Sequence, residues 1–111
     1  MEIHLDSEIF ELVKSGTKTV EARVFDEKRQ QIKPDDIITV FKRPDDAESL
    51  KIRVVGLMVF KDFSSLAEFY SMERLYTANT TKEEYTSLLS SFYSDDEVRK
   101  YGVVAIEFEL I

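Results

Sequence analysis

Residues 16–23 read Gly16-Thr17-Lys18-Thr19-Val20-Glu21-Ala22-Arg23. Their alternation continues through Phe25, so 19–25 is a strand: Val20, Ala22 and Val24 fall on one side and Thr19, Glu21 and Arg23 on the other. Gly16 frees the backbone for a turn just before it. Upstream, SEIFELVKS over 7–15 places Ile9, Phe10 and Val13 at helical spacing, with Asp6 or Ser7 as N-cap and Gly16 as the stop. The octapeptide is therefore a helix exit, a turn and a strand start. It places a cation, a carboxylate and a second cation within six residues.

Further along, DEKRQQIKPDD is a polar loop with room for one helical turn. Residues 36–42 (DIITVFK) are β-branched and form a second strand. Residues 50–60 (LKIRVVGLMVF) form a long third one, in which Gly56 marks a bulge or bend. Short helices follow at 64–70 and 82–93, the second opened by a Thr81/Glu84 capping box, with another turn or two at 95–100. The closing GVVAIEFELI is a strand whose last part alternates apolar and acidic residues. The segment MERLYTANTTKEE, polar and free of Gly and Pro, is either a cover over a cleft or a plain connection. Four or five strands with few long crossovers favour mostly antiparallel pairing, in a curved sheet or small open barrel with helices outside.

At 111 residues the chain has room for one domain, 1–111, and for one real core. There is no cysteine and one histidine, His4. Disulfides, thiolate sites and Cys nucleophiles are excluded, and a metal site of ordinary ligation is not expected. No metal or cofactor is expected. No apolar run reaches the length of a membrane span, and the N-terminus lacks a signal peptide's pattern, so a cytoplasmic location is the default expectation. Lys and Arg number 15 against 22 Asp and Glu, a net charge of −7. Long nucleic acid demands many phosphate contacts, and this chain has no global excess of cations to supply them. A local basic cleft on an acidic body suits a small ligand or a short strand.

Lys18, Glu21 and Arg23 are the leading site candidates. A desolvated Lys beside another cation has a lowered pKa, which suits nucleophile or base roles. A planar Arg holds a phosphate, carboxylate or base edge bidentately. The alternative is a solvated Glu21–Arg23 pair on an exposed strand, worth little. Lys28 and Arg29 extend a basic rim or simply sit in a solvated loop; Lys42 and Arg43 are weaker versions of the same. Most aromatics are core, but Tyr70, Tyr76 and Tyr101 are candidates for a cleft edge, where bases stack. His4 is read as structural or solvated.

The octapeptide GTKTVEAR resembles the Gly-x-Lys-x-x-Glu-x-Arg signature of the ASCH domain family. The resemblance extends through EIFELVKSG upstream, FDEKRQQIKPDDIITV and VVGLMVFKDFSSL downstream, and the closing YGVVAIEFEL. One departure is Asp35, where the family often has Gly; Asp tolerates a left-handed turn. The resemblance implies an α+β, PUA-like fold: a small curved β-barrel, mostly antiparallel, with three or four short helices around it. It implies that Lys18, Glu21 and Arg23 line a cleft, and a role in RNA metabolism. One bacterial branch looks like amidohydrolases that deacylate N4-acetylcytidine. That branch has the motif Lys, a Thr where this chain has Glu21, and a separate Glu near the later helix. Here Lys18 is kept, the Thr is absent, Thr19 is a possible substitute nucleophile, and Glu73 is the candidate for the later carboxylate.

Three functions follow as expectations. The first is a nucleic-acid or nucleotide-binding module using Lys18, Glu21, Arg23, Lys28 and Arg29, with RNA or a small nucleoside or nucleotide as partner. The second is an amidohydrolase of an acylated nucleoside using Lys18, Glu21 and Glu73. The third is a non-enzymatic regulatory interaction domain, marked by an exposed apolar patch and no defended pocket.

Overall fold

β-Branched and alternating segments pair into one five-stranded sheet, as a computed structural model describing residues 1–111 shows. In chain order the elements are β1 (Glu2–Leu5), α1 (Ser7–Lys14), β2 (Val20–Val24), a 3-10 turn (Arg29–Gln31), β3 (Ile37–Lys42), β4 (Ser49–Phe60), α2 (Phe63–Phe69), α3 (Met72–Leu75), α4 (Lys82–Ser90), α5 (Asp95–Tyr101) and β5 (Val103–Leu110). The sheet order is β1-β3-β4-β5-β2. Only β1–β3 is parallel; β2–β5, β3–β4 and β4–β5 are antiparallel. The fold is α+β, with a sheet curled into a half-barrel.

The long β4 makes the curl. Its first residues pair with β3, Ile37 opposite Arg53 through Phe41 opposite Ser49. Its later residues pair with β5, and the register shifts between Val54 and Gly56. A bulge there bends the strand and increases its twist. Gly56 leaves room for the Glu107 side chain, whose carboxylate oxygen would stand 3.0 Å from a Cβ at this position.

Two hydrophobic cores lie on opposite faces of the sheet, and β5 serves both. Val104, Ile106 and Phe108 join Phe10 and Val13 of α1 in the first core. Val103 and Ala105 join Val20, Ala22 and Val24 in the second, under Leu66, Leu75 and Leu89 of the later helices. This explains the unbroken apolar run at 103–106: a strand buried on both faces shows no alternation. Fully burying a side chain such as Phe10 or Leu66 stabilises the fold by roughly 1.5–3 kcal/mol.

Two elements are additional to those expected from the sequence. Glu2–Leu5 forms β1, and one turn of helix, α3, forms inside the polar 72–84 segment. The expected helix at 82–93 ends at Ser90, because Ser94 starts a second capping box with Glu97 and opens α5. Phe92 and Tyr93 therefore leave the helix and are free to point elsewhere.

Candidate functional site

The two outermost strands of the sheet, β1 and β2, both contribute to one cavity of about 530 Å³. It lies along the seam where the curled sheet does not close. Its volume falls inside the range of about 300–1,000 Å³ usual for small-molecule sites. One wall is charged: Lys18, Glu21 and Arg23. The opposite walls are largely aromatic and apolar, including Tyr76, Tyr85, Leu88, Phe92 and Tyr93.

Local chain geometry places the charged wall. Gly16 adopts φ +84°, the left-handed region that suits a residue without Cβ. The Lys18 N–H then donates to the Leu12 carbonyl at 3.1 Å, turning the chain back toward α1 before β2 begins. Lys18 is 3% exposed. Its Nζ donates to the carbonyls of Val20 and Leu75, each at 2.6 Å, and meets Glu21 Oε1 at 3.2 Å. Two of its three N–H groups are thus committed to carbonyls, and its charge is paired with Glu21. The other Glu21 oxygen, Oε2, accepts from Arg23 Nε at 2.9 Å and lies in ion-pair contact with Arg23 Nη2 at 2.8 Å. The three side chains form one chain, Lys18–Glu21–Arg23, rather than a solvated surface pair.

Burial sets the electrostatics. It pushes the Lys18 ammonium pKa down, against the pull of Glu21. Burial also works against the Glu21 carboxylate, but Lys18 and Arg23 outweigh it and hold its pKa below the ordinary carboxylate range. Glu21 is an anion at neutral pH. Burial opposes the Arg23 charge too, and Glu21 again wins, so its pKa is raised. The Tyr93 hydroxyl lies beside Arg23; burial raises its pKa, and Arg23 and Arg29 act the other way.

The structure does not bring every sequence candidate here. Lys28 is exposed and outside the cavity wall. Arg29 pairs with Asp26 at 3.0 Å. Glu73 is exposed on α3 and lies outside the wall as well. Thr19 precedes β2, and its hydroxyl accepts from Arg74 Nε at 2.9 Å instead of facing the cavity. Tyr70 and Tyr101 donate their hydroxyls to Glu107 at 2.5 Å and Glu27 at 2.8 Å, away from the cavity. Of the three tyrosines singled out, only Tyr76 lines it; its hydroxyl donates to Glu8 at 3.0 Å. That bond, with the Leu75–Lys18 bond, ties the 72–84 segment down as a wall.

Several lining residues have other origins. Phe92 and Tyr93, counted with the core aromatics, arrive because α4 stops at Ser90. Phe92 is 65% exposed. His4 and Arg43 reach the cavity because β1 docks beside β3. His4 stacks on Phe41 with ring centroids 5.2 Å apart, and Asp46 holds its Nδ1 at 3.1 Å. No three His, Asp or Glu side chains come together in a geometry that holds a metal.

The model of the ASCH domain matches residues 3–111. The chain belongs to the ASCH domain family. This ASCH chain is similar to hypothetical protein PH0355, whose crystal structure superposes with a TM-score of 0.87 at 39% identity, covering 99% of this chain and 97% of that one. It is also similar to protein PF0455 from Pyrococcus furiosus, known in solution, with a TM-score of 0.78 at 34% identity and coverage of 99% and 96%. The protein EF3133 from Enterococcus faecalis V583 shares the fold, with a TM-score of 0.73 at 16% identity, covering all of this ASCH chain and 76% of its own. No curated protein matches. No helix of the ASCH chain is long and apolar enough to cross a membrane.

Proposed function

We propose that this ASCH domain binds one base of a nucleoside, a nucleotide or a short RNA strand in the cavity at the β1–β2 seam. The observation that carries this reading is the pairing of a polar edge with aromatic walls in a space of about 530 Å³. A guanidinium has five N–H donors, and Arg23 commits its Nε–H to Glu21 with Nη2 in ion-pair contact. The rest serve a ligand's acceptors, such as a ring nitrogen and a carbonyl oxygen. Glu21 keeps unused lone pairs for an exocyclic amine. Tyr76, Phe92 and Tyr93 supply the faces on which a base stacks, a contact worth roughly 1–3 kcal/mol per base. The net charge of −7 favours a single nucleotide unit over a long polyanion.

Hydrolysis of an acylated nucleoside is the second reading. It is favoured by the presence of the buried Glu21 carboxylate in the same wall. Two features weigh against it. A carboxylate whose pKa is depressed is a poor acceptor of a proton from water. Lys18 has two N–H groups committed to carbonyls and its charge paired with Glu21, so stabilising a developing oxyanion competes with those contacts.

Titration of the purified protein with the four ribonucleosides, N4-acetylcytidine and short RNAs tests both. Saturable binding that Arg23→Gln weakens supports the base-binding reading, and its absence at millimolar ligand refutes it. Release of cytidine from N4-acetylcytidine establishes the hydrolytic one.

A further inference from the structure

The cavity has a second charged side, opposite the motif. His4 and Leu5 of β1 and Arg43 just after β3 line it, while Glu21 and Arg23 come from β2 at the other edge of the sheet. The Arg43 backbone N–H donates to the Leu5 carbonyl at 2.8 Å, which fixes this residue beside β1. Its side chain is different from every other arginine here. Arg23, Arg29, Arg53 and Arg99 each meet a carboxylate, and Arg74 meets the Thr19 hydroxyl and the Tyr70 ring. Arg43 meets no acid within salt-bridge distance.

An unpaired guanidinium at the wall of a pocket is a donor fork without its acceptor. It matches a phosphate better than any neutral group, because a phosphate accepts two parallel N–H bonds from it. We infer that the ligand of the β1–β2 cavity is a phosphorylated nucleoside, whose base meets Arg23 and Glu21 and whose phosphate meets Arg43. This rests on the base-binding reading above. The two ends are set apart by the sheet itself: β2 holds the base and the β1–β3 corner holds the phosphate. Asp6 is the acid that lines the cavity on the phosphate side, and Asp46 stands behind it against His4. Asp6 opens α1 without a side-chain capping bond, so its carboxylate repels the phosphate and contributes nothing of its own to the helix start by hydrogen bonding.

Binding of each ribonucleoside, its 5′-monophosphate and ribose 5-phosphate is measured by calorimetry for the wild type, Arg43→Gln and Asp6→Asn. Arg43 is exposed, so its variant retains the fold. The expected result is a monophosphate bound about tenfold more tightly than its nucleoside, as a charge-assisted bidentate contact implies. Arg43→Gln abolishes that gain and leaves the nucleoside within about twofold, since it removes the phosphate contact only. Asp6→Asn strengthens the monophosphate by about two- to fivefold, as relief of one like-charge contact near the surface implies. Equal affinity for nucleoside and monophosphate in the wild type overturns the inference while leaving the base pocket standing. So does an Arg43→Gln loss that falls equally on both. Binding of ribose 5-phosphate with no binding of any nucleoside overturns the base pocket instead. Tetranucleotides with and without a 5′-phosphate identify the source: a gain from the terminal phosphate assigns a strand end, and a gain confined to mononucleotides assigns a free nucleotide. Either supports the Arg43 contact.

Discussion

Replacing Lys18 by Met tests whether the motif is a buried network. Met keeps most of the side-chain volume and removes the ammonium. The two carbonyls it serves, Val20 and Leu75, lose donors placed at 2.6 Å, and Glu21 loses one of its two cations. Removing one partner of a buried ion pair costs about 3–5 kcal/mol. Arg23 still holds the other oxygen of Glu21 with one hydrogen bond and an ion-pair contact, which argues for the low end, about 3 kcal/mol. A chain of this length has an unfolding entropy that converts this to a fall of roughly 13 °C in Tm. The loss is a large part of the 5–15 kcal/mol typical of a domain. Urea unfolding with a constant m value is the measurement. Lys18→Met combined with Glu21→Gln is expected to cost less than the sum of the two single changes, because the second removes the charge that the first leaves exposed to burial. A cost for Lys18→Met below about 1 kcal/mol, the figure typical of an exposed pair, refutes the buried network.

The Glu21 carboxylate, held by Lys18 and Arg23 against burial, has a folded pKa below its ordinary value of 4.5. Its contribution to stability is complete above that value and is lost as pH falls through the lower folded pKa; acid titration of stability is therefore expected to be shallower in Glu21→Gln than in the wild type. Gly102 has φ +71°, and a Cβ there would stand 2.9 Å from the Phe60 carbonyl oxygen. Gly102→Ala is expected to destabilise by about 1–3 kcal/mol, the range for a strained backbone position, and an unchanged urea midpoint would contradict it. The Thr81 hydroxyl oxygen accepts from the Glu84 backbone N–H in a complete capping box, so Thr81→Ala is expected to cost about 1 kcal/mol, read from the same unfolding curve.

How much was legible in the sequence depended on how local the signal was. The motif strand, the Thr81–Glu84 box and the irregularity at Gly56 are carried by residues within a few positions of one another, and each sits where the pattern placed it. β1 was not legible, because four residues carry little alternation and their partner β3 lies more than thirty positions away. The charged wall was legible as a cluster, since Lys18, Glu21 and Arg23 are close in sequence. Its aromatic counterpart was not. Phe92 and Tyr93 continue the helical spacing of α4, and only the competing cap at Ser94 shows that the helix has ended before them. Arg43 was weighed as a weak rim residue, because its distinction from the other arginines is the absence of a partner, which only the folded chain displays.

The cost of the motif bears on its purpose. Taking three charged groups out of water is expensive, and well-packed apolar residues in their place are often as stable or more so. Within this fold an apolar alternative is close at hand: Val20, Ala22 and Val24 on the same strand are already buried in a hydrophobic core. The charges nevertheless stand at the one place where the two sheet edges leave a cavity between them. Lys18 makes its contacts inside the protein, holding the Leu75 carbonyl on one side and pairing with the Glu21 carboxylate on the other. Glu21 in turn orients Arg23 through one hydrogen bond and an ion-pair contact at the same oxygen. Arg23 has donors left over. The arrangement is a relay of position: a lysine fixes a carboxylate, the carboxylate fixes a guanidinium, and the guanidinium is presented to the cavity with little freedom to turn. Pre-set donors lose less entropy on binding than mobile ones. A stability cost accepted at a cavity wall, with its product a rigid donor set, is what a binding site requires and what a purely structural core does not.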